Sequence, residues 1–182
     1  QAVAAVKREF LDILVRIEMD YSRPLVAKLL DGQLDLVVGR IMGPEGGDDL
    51  SFEPLADEPH AVIVREGHPL SRRGRVSHED LVHYGWVLPP GESVLRSRLE
   101  AMFLERGMAR PLNVIETAAL PVVTNLLRNS DLLTALPEDA VSPYIQARLL
   151  TVLLIDLGVR MSSFGIIVRR HQLLSPGAER VL

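Results

Sequence analysis

The segment Leu30-Asp-Gly-Gln-Leu-Asp-Leu-Val-Val-Gly39 carries the most information about the fold. Within it, Gly32 indicates the end of a helix, because glycine is the residue most common just after the last helical turn. The almost wholly apolar run at 34–38 predicts a strand covered on both faces. Just upstream, Ser22 suits an N-cap and Pro24 suits a first helical turn. We therefore expect a helix that starts near Ser22, ends before the glycine and is followed directly by a strand.

The stretch before this helix alternates between apolar and polar side chains. Over residues 12–20, four apolar side chains fall on one face, namely Ile13, Val15, Ile17 and Met19, and this pattern predicts a strand. Residues 2–10 instead repeat apolar side chains at spacings of three and four, which indicates an amphipathic helix. Strand, helix and strand in such a short span predict a βαβ unit with a right-handed crossover.

Strands and helices continue to alternate along the rest of the chain. Strands are predicted at 61–64, 86–88, 113–115, 132–136, 151–156 and 164–169. Helices are predicted to begin near Leu81, after the capping-box pattern of Ser77 to Asp80, and near Ser93, Thr117 and Ser175. The alternation predicts an α/β fold with mixed, mainly parallel sheets.

Composition narrows the class of protein. The 182 residues are 47% hydrophobic and 24% charged, which is typical of a globular domain with ample core material. The formal net charge of −4 argues against an isolated DNA-binding domain, because such domains carry an excess of basic residues to neutralise phosphates. Cysteine is absent, so disulfides and thiolate metal sites are excluded. No apolar run approaches the roughly 20 residues that span a membrane.

Motifs for catalysis, metals and nucleotides are missing. The five histidines, at positions 60, 68, 78, 83 and 171, form no His-x-x-x-His pair. Gly-x-Ser-x-Gly, Rossmann and Walker patterns are also absent, and the glycine-rich stretch 43–47 is interpreted as a turn. The basic cluster 72–75 lacks interleaved aromatic residues and fits a solvated loop better than a nucleic-acid contact. We therefore predict neither an enzyme nor a cofactor or metal site.

Three predicted helix N-termini are the positive signal for binding. Ser22, Ser93 and Thr117 each lie where a strand hands over to a helix, where backbone N–H groups, a positive dipole end and a hydroxyl suit an anion. Arg40 follows the strand at 34–38 and so falls at the edge where open α/β sheets bind ligands. The alternative is that the hydroxyls only cap their helices and that Arg40 is a solvated loop residue.

At this point the sequence resembles a known family. Residues 30–39 resemble the L-x-x-G-x-L-D-L-x-I signature of LysR-type transcriptional regulators. Other segments resemble motifs of that family in the same order: Leu55-Ala-Asp-Glu58, Gly67-His-Pro-Leu70 followed by Val76-Ser-His-Glu-Asp-Leu81, Phe103-Leu-Glu-Arg-Gly107 and Leu132-Leu-Thr-Ala-Leu-Pro137. Each motif is weakly specific alone, and Ser130-Asp131 replaces a usual glycine, but the ordered set spans nearly the whole chain.

The resemblance implies an effector-binding domain with the two-lobed fold of type 2 periplasmic binding proteins. Lobe I would hold residues 1–59 and 164–182, lobe II would hold 60–163, and two hinge segments would lie near 58–62 and 161–166. A small effector would bind between the lobes. Ser22 and Arg40 match family positions that contact effectors, and Thr117, Ala118 and Pro137 match contacts from the second lobe.

The resemblance also implies the rest of a regulator. An N-terminal winged helix-turn-helix and the first strand of the sensing domain would precede Gln1. Promoter DNA and RNA polymerase would be partners of the full-length cytoplasmic protein only, with no membrane partner. Sensing domains of the family pair antiparallel into homodimers or tetramers, which would here involve helices at 2–10 and 94–106; alternatively, their apolar stripes face their own core.

Two other classes of protein share this architecture. A periplasmic solute-binding protein would have an export signal where a regulator has its helix-turn-helix. An enzyme would need acid, base or nucleophile groups that converge in the cleft, and the sequence presents no such set.

Overall fold

A computed structural model describes residues 2–41, 47–91 and 93–182. The chain divides into two units: unit 1 comprises Gln1–Asp57 and Ser162–Leu182, and unit 2 comprises Glu58–Met161. Within the described ranges, no helix is long and apolar enough to cross a bilayer.

Seven α-helices and eight strands are assigned in the described residues. The helices are α1 (Ala2–Glu9), α2 (Ser22–Leu30), α3 (His78–Leu81), α4 (Val94–Glu105), α5 (Leu120–Arg128), α6 (Glu138–Gln146) and α7 (Pro176–Glu179). The strands are β1 (Val37–Gly39), β2 (Leu50–Ala56), β3 (His60–Arg65), β4 (Trp86–Leu88), β5 (Val114–Glu116), β6 (Thr134–Pro137), β7 (Leu150–Val152) and β8 (Phe164–Arg169). Short 3₁₀ helices cover Gly47–Asp49 and Pro69–Arg72.

Unit 1 is built on a sheet of order β1-β8-β2, in which β8 is antiparallel to both neighbours. Helix α2 covers this sheet, and Leu29, Val37 and Ile167 are fully or nearly fully buried at the centre of its core. Asp35 of the segment quoted first has a polar role, since its carboxylate accepts a hydrogen bond of 2.9 Å from the Ser175 hydroxyl at the start of α7.

Unit 2 combines antiparallel and parallel pairings. Strands β6, β3 and β7 form an antiparallel sheet, β4 pairs with β5 in parallel, and a parallel bridge between Trp86 and Leu133 joins β4 to the segment that leads into β6. The buried Trp86 ring meets Phe103 of α4 edge to face, with ring centroids 6.0 Å apart. Residues of this core pack together β4, β5, the segment that leads into β6, and the helices that follow them.

The strand predicted at 12–20 is wrong. Residues 13–21 have no strand assignment, and Leu14 and Met19 are 89% and 94% exposed. Alternation makes a segment suitable for a sheet, but a strand also needs a hydrogen-bonded neighbour, and no described strand pairs with this stretch. The predicted βαβ unit is therefore not formed among the described residues.

The prediction of mixed sheets is correct, but that of mainly parallel sheets is wrong for the described residues. Four of the five strand pairings are antiparallel, and only β4 and β5 pair in parallel. Antiparallel pairings predominate because β3 and β8 each lie between two strands that run in the opposite direction. One of these neighbours, β2, was not predicted; its alternation of apolar and polar side chains covers only Leu50 to Glu53 and ends at Pro54.

Other elements match the sequence more closely. The strands at 86–88 and 164–169 have the predicted bounds, and Gly32 ends α2 with the left-handed φ of +75°. Ser77 and Asp80 form the predicted capping box. Helix α6 was not predicted, because Pro143 interrupts its sequence pattern. The glycine-rich turn at 43–47 lies outside the described residues except for Gly47.

Candidate functional site

In unit 1, Ser22 and Arg40 are joined directly. Ser22 is the first residue of α2 and not its cap as predicted, since Tyr21 occupies the N-cap position. The Ser22 hydroxyl instead accepts a hydrogen bond of 3.1 Å from the main-chain N–H of Arg40. A Cβ added to Gly39 would lie 3.1 Å from that hydroxyl, so the end of β1 approaches α2 closely because residue 39 is glycine. The structure thus brings two of the predicted contacts together.

The Arg40 side chain is held by the segment that leads into β8. Its Nε donates a hydrogen bond of 2.7 Å to the carbonyl oxygen of Ser162, and its guanidinium carbon lies 6.0 Å from the centroid of the Phe164 ring. Arg40 and Phe164 are both half-buried. A guanidinium with a fixed plane beside the start of a helix suits a carboxylate or phosphate, which it can contact through two donors at once.

In unit 2, four predicted contacts lie at one edge of the sheet. Strands β4 and β5 are parallel, and the parallel bridge at Trp86 and Leu133 gives β6 the same direction. Their carboxyl ends therefore meet at a common edge, and α4, α5 and α6 each begin just after one of them. The predicted contacts Ser93, Thr117 with Ala118, and Pro137 occupy these three junctions. Ligands bind at this edge in open α/β sheets.

Two hydroxyls at this edge have different local roles. Ser93 is the N-cap residue of α4, but its hydroxyl makes no capping hydrogen bond, whereas its main-chain N–H donates to the carbonyl of Pro90 at 2.9 Å. Thr117 was predicted as the N-cap of its helix, but Ala119 occupies that position. The Thr117 hydroxyl accepts a hydrogen bond of 3.2 Å from the Ala119 N–H, so it orders the turn before α5.

Charge distinguishes the helix N-termini at this edge. Helix α6 begins after Pro137 with two acidic residues, Glu138 and Asp139, which offset the positive end of its dipole. The first turns of α4 and α5 carry no acidic residue, and neither does that of α2 in unit 1. An anion is therefore favoured near Ser93 and Thr117 over the start of α6.

Arg96 is a residue at this edge that the sequence analysis missed. Its Nε donates to Glu100 at 2.5 Å, and one terminal nitrogen lies 3.3 Å from the carboxylate of Glu116 and 3.4 Å from the carbonyl of Pro89. Its side chain is 12% exposed. Arg96 thus ties α4 to the ends of β4 and β5. The i, i+4 pair with Glu100 was visible in the sequence, but its other partners depend on the sheet.

His68, in the Gly67-His-Pro-Leu70 motif, is fully buried and structural. Its Nδ1 accepts a hydrogen bond of 3.1 Å from the Leu70 N–H, so the neutral ring carries its proton on Nε2, 3.2 Å from the carbonyl of Asp131. Burial lowers the pKa of His68. In the described ranges, no three metal-binding side chains come together.

Comparison with known proteins gives a consistent result. A family model described as the LysR substrate binding domain matches residues 1–182. The HTH-type transcriptional regulator GbpR of Azospirillum brasilense is 26% identical over 181 residues, which are 99% of this chain and 53% of that protein. GalR of Pseudomonas putida, also described as an HTH-type transcriptional regulator, is 34% identical over 157 residues, which cover 85% of this chain and 38% of GalR. The chain thus spans about half or less of these relatives.

Solved structures share the fold. The regulatory domain of Synechocystis CcmR, solved in complex with 2-PG, superposes with a TM-score of 0.78 and 17% identity, covering 98% of this chain and 84% of that one. The effector-binding domain of QuiR, solved with shikimate, gives 0.75 and 18%, covering 99% and 84%. At such identities the likeness establishes the fold alone, and it confirms the expected type 2 periplasmic-binding-protein-like fold.

Proposed function

This chain belongs to the LysR substrate binding domain family, and from that premise we propose that it is the effector-sensing part of a bacterial transcription regulator. The observation that carries the proposal is the family match over the whole chain, together with relatives named as HTH-type transcriptional regulators. The same match favours a regulator over a periplasmic solute-binding protein. In the full-length protein, a DNA-binding domain would contact promoter DNA, and the effector would alter that contact in the cytoplasm.

We propose that the effector is a small organic anion. Support comes from the half-buried Arg40 guanidinium and from three helices whose first turns lack acidic residues. Ser22 and Arg40 are the proposed contacts in unit 1, and Ser93, Thr117, Ala118 and Pro137 are those in unit 2, where the acidic group would lie nearer Ser93 and Thr117 than Pro137 because two acidic residues follow Pro137. Aliphatic acids, aromatic acids, sugar acids and phosphorylated acids all fit this chemistry.

Regulation would follow from linkage. An effector shifts an equilibrium between two arrangements of a regulator only by binding one of them more tightly. We propose that binding changes how the sensing domains of a homodimer or tetramer position the DNA-binding domains and RNA polymerase. No catalytic step is part of this proposal.

A thermal-shift screen tests the proposed function. The chain is heated with a panel of acids that includes shikimate, 2-phosphoglycolate, benzoate and gluconate, with neutral sugars for comparison. A ligand present at a hundred times its dissociation constant is expected to add about 2.7 kcal/mol to the free energy of unfolding. Stabilisation by at least one acid and by no neutral analogue of it supports the proposal.

Variants locate the site in the same screen. Arg40→Ala is expected to abolish or strongly reduce the shift, whereas Arg16→Ala, which removes an exposed arginine of the same unit, leaves it unchanged. Equal affinity of wild type and Arg40→Ala for an acidic ligand would show that the proposed placement is wrong. Turnover of a bound acid that Arg40→Ala abolishes would instead identify an enzyme.

A further inference from the structure

Three consecutive residues in unit 1 contact Arg40 or anchor the segment that does. Ser162 accepts the Arg40 Nε–H through its carbonyl at 2.7 Å, and Phe164 places its ring 6.0 Å from the guanidinium carbon. Ser163, between them, donates its hydroxyl to the carboxylate of Asp57 at 2.5 Å. We call residues 162–164 the arginine bracket. The sequence analysis placed a hinge near 161–166 and a strand at 164–169, but neither the family motifs nor the periodicity indicated a contact between this segment and Arg40.

We propose that Asp57 and Ser163 are positioning residues for the Arg40 guanidinium, an inference that rests on the proposed function of Arg40 as an effector contact. The carbonyl of Ser162 and the amide nitrogen of Ser163 belong to one planar peptide group. The hydrogen bond from the Ser163 side chain to Asp57 restricts how that peptide group can rotate. It therefore fixes the direction in which the Ser162 oxygen faces the Arg40 Nε.

The bracket is itself fixed at its downstream end. Phe164 begins β8 and pairs with Ala56 of β2, one residue before Asp57. The acceptor of the Ser163 hydroxyl thus belongs to the chain segment that already neighbours Phe164 in the sheet. The arginine bracket consequently holds the Arg40 side chain and is itself held by residues 56–57, while Ser22 accepts a hydrogen bond from the main-chain N–H of Arg40.

These contacts lie at the two points where the chain passes from one unit to the other. Asp57 is the last residue of the first stretch of unit 1, and Ser162 is the first residue of its second stretch. Arg40, the proposed effector contact, is therefore hydrogen-bonded directly to Ser162 at one of these points and is connected to Asp57 at the other only through Ser163. An effector that restricts the motion of the Arg40 side chain therefore also restricts the motion of these two segments. By reciprocity, a change in the motion of the segments alters the affinity for the effector.

The test measures the Arg40 side chain directly in the ligand-free chain. Solvent exchange of the Arg40 Nε–H is followed by NMR in wild type, Ser163→Ala, Ser163→Thr and Asp57→Asn. Ser163→Ala is expected to speed this exchange about threefold or more, in line with one lost hydrogen bond. Asp57→Asn keeps an acceptor oxygen but loses the charge that strengthens the bond, so it is expected to speed the exchange by a smaller factor. Ser163→Thr is expected to restore the wild-type rate because it keeps the hydroxyl. Asp35→Asn is the matched control, since it alters another Ser–Asp hydrogen bond of unit 1, that of Ser175, away from Arg40.

Unchanged Arg40 exchange in both Ser163→Ala and Asp57→Asn would overturn the inference, as would an equal change in Asp35→Asn. A titration with 2-phosphoglycolate adds the binding readout: about threefold weaker affinity in Ser163→Ala, with recovery in Ser163→Thr, supports positioning. Equal affinity despite faster exchange overturns it. Failure of wild type to bind any acid in the screen would count against the proposed function and not against the hydrogen-bond geometry, which the exchange measurement decides alone.

Discussion

The main-chain N–H of Arg40 donates a hydrogen bond to the Ser22 hydroxyl at 3.1 Å, so the residue that follows β1 is fixed to the first residue of α2. This bond crosses 18 positions of sequence and joins two proposed effector contacts. The hydroxyl therefore accepts one hydrogen bond, and within the part of the chain that the structure describes its own proton is donated to no protein group. We expect Ser22 to act in binding as a donor to an acidic effector.

Removal of this hydroxyl should weaken both folding and binding. Ser22→Ala leaves the Arg40 N–H without its side-chain acceptor, which is expected to lower the free energy of unfolding by about 1 kcal/mol. The affinity for an acidic effector should also fall in Ser22→Ala, whereas Ser22→Thr keeps a hydroxyl and is expected to keep most of the affinity. Urea denaturation and ligand titration measure the two effects. Wild-type affinity in Ser22→Ala would remove Ser22 from the site.

The close approach of Gly39 to Ser22 gives a second way to disturb this bond. A Cβ at Gly39 would lie 3.1 Å from the Ser22 hydroxyl, which must therefore shift by a few tenths of an ångström, and 3.4 Å from a Val37 methyl, which is close to ordinary van der Waals contact. Gly39→Ala is expected to reduce effector affinity more than it reduces stability, because it displaces a contact but removes no core atoms. The measurement compares the change in dissociation constant with the change in denaturation midpoint. A loss of stability alone contradicts the expectation.

Gly165 in β8 is expected to be intolerant of any side chain. A Cβ there would lie 2.1 Å from the carbonyl oxygen of Glu53 and 2.6 Å from the Phe52 ring, and the first of these atoms is backbone of the neighbouring strand. Gly165→Ala should therefore lower the free energy of unfolding by about 3 kcal/mol or more, as overpacking does in a close-packed core. Gly74→Ala is the matched control, since a Cβ there meets nothing within 4 Å. Similar stability of the two variants would contradict the register of β2 and β8.

Local residue chemistry predicted some of these features, and long-range pairing determined the others. The capping box at Ser77 and the helix end at Gly32 depend on neighbours within a few residues, and both are confirmed. The 12–20 segment has the same alternation that half-buried strands show, yet it pairs with no described strand. The prediction failed because alternation within a segment does not show whether a hydrogen-bonding partner is present.

The candidate site likewise contains some residues that the local sequence predicted and others that it did not. Ser22 and Ser93 were found from strand-to-helix junctions, and the structure places each at the start of a helix. The arginine bracket lies more than a hundred positions from Arg40 along the chain, as the separation of 122 between Arg40 and Ser162 shows. No periodicity within a segment reports such a contact. Arg96 was missed for a related reason, since its contact with Glu116 exists only once β4 and β5 are paired.

The buried His68 makes stability depend on pH. Burial lowers its pKa, with Arg65 adding to the decrease and Asp131 opposing it, so the unfolded chain binds a proton on this residue at higher pH than the folded chain does. Stability from this residue is present above its ordinary pKa of about 6.5 and is lost as pH falls below that value toward the folded pKa. Protonation at Nδ1 also removes the acceptor for the Leu70 N–H. An NMR titration should place the pKa of His68 below the ordinary histidine value of about 6.5, and a higher value would contradict this.

Arg96 should prove more sensitive to substitution than its position on a helix surface suggests. Its guanidinium joins Glu100, Glu116 and the Pro89 carbonyl, and a lysine ammonium cannot reproduce contacts with α4, β4 and β5 in one plane. Arg96→Lys is expected to lower the free energy of unfolding by about 1–2 kcal/mol and to weaken effector binding through the turn at Thr117. Arg106→Lys is the comparison, since the Arg106 side chain makes one hydrogen bond to another described residue, of 3.2 Å to the Met102 carbonyl in the same helical segment. Equal effects of the two substitutions on affinity would show that Arg96 stabilises unit 2 without ordering the binding edge.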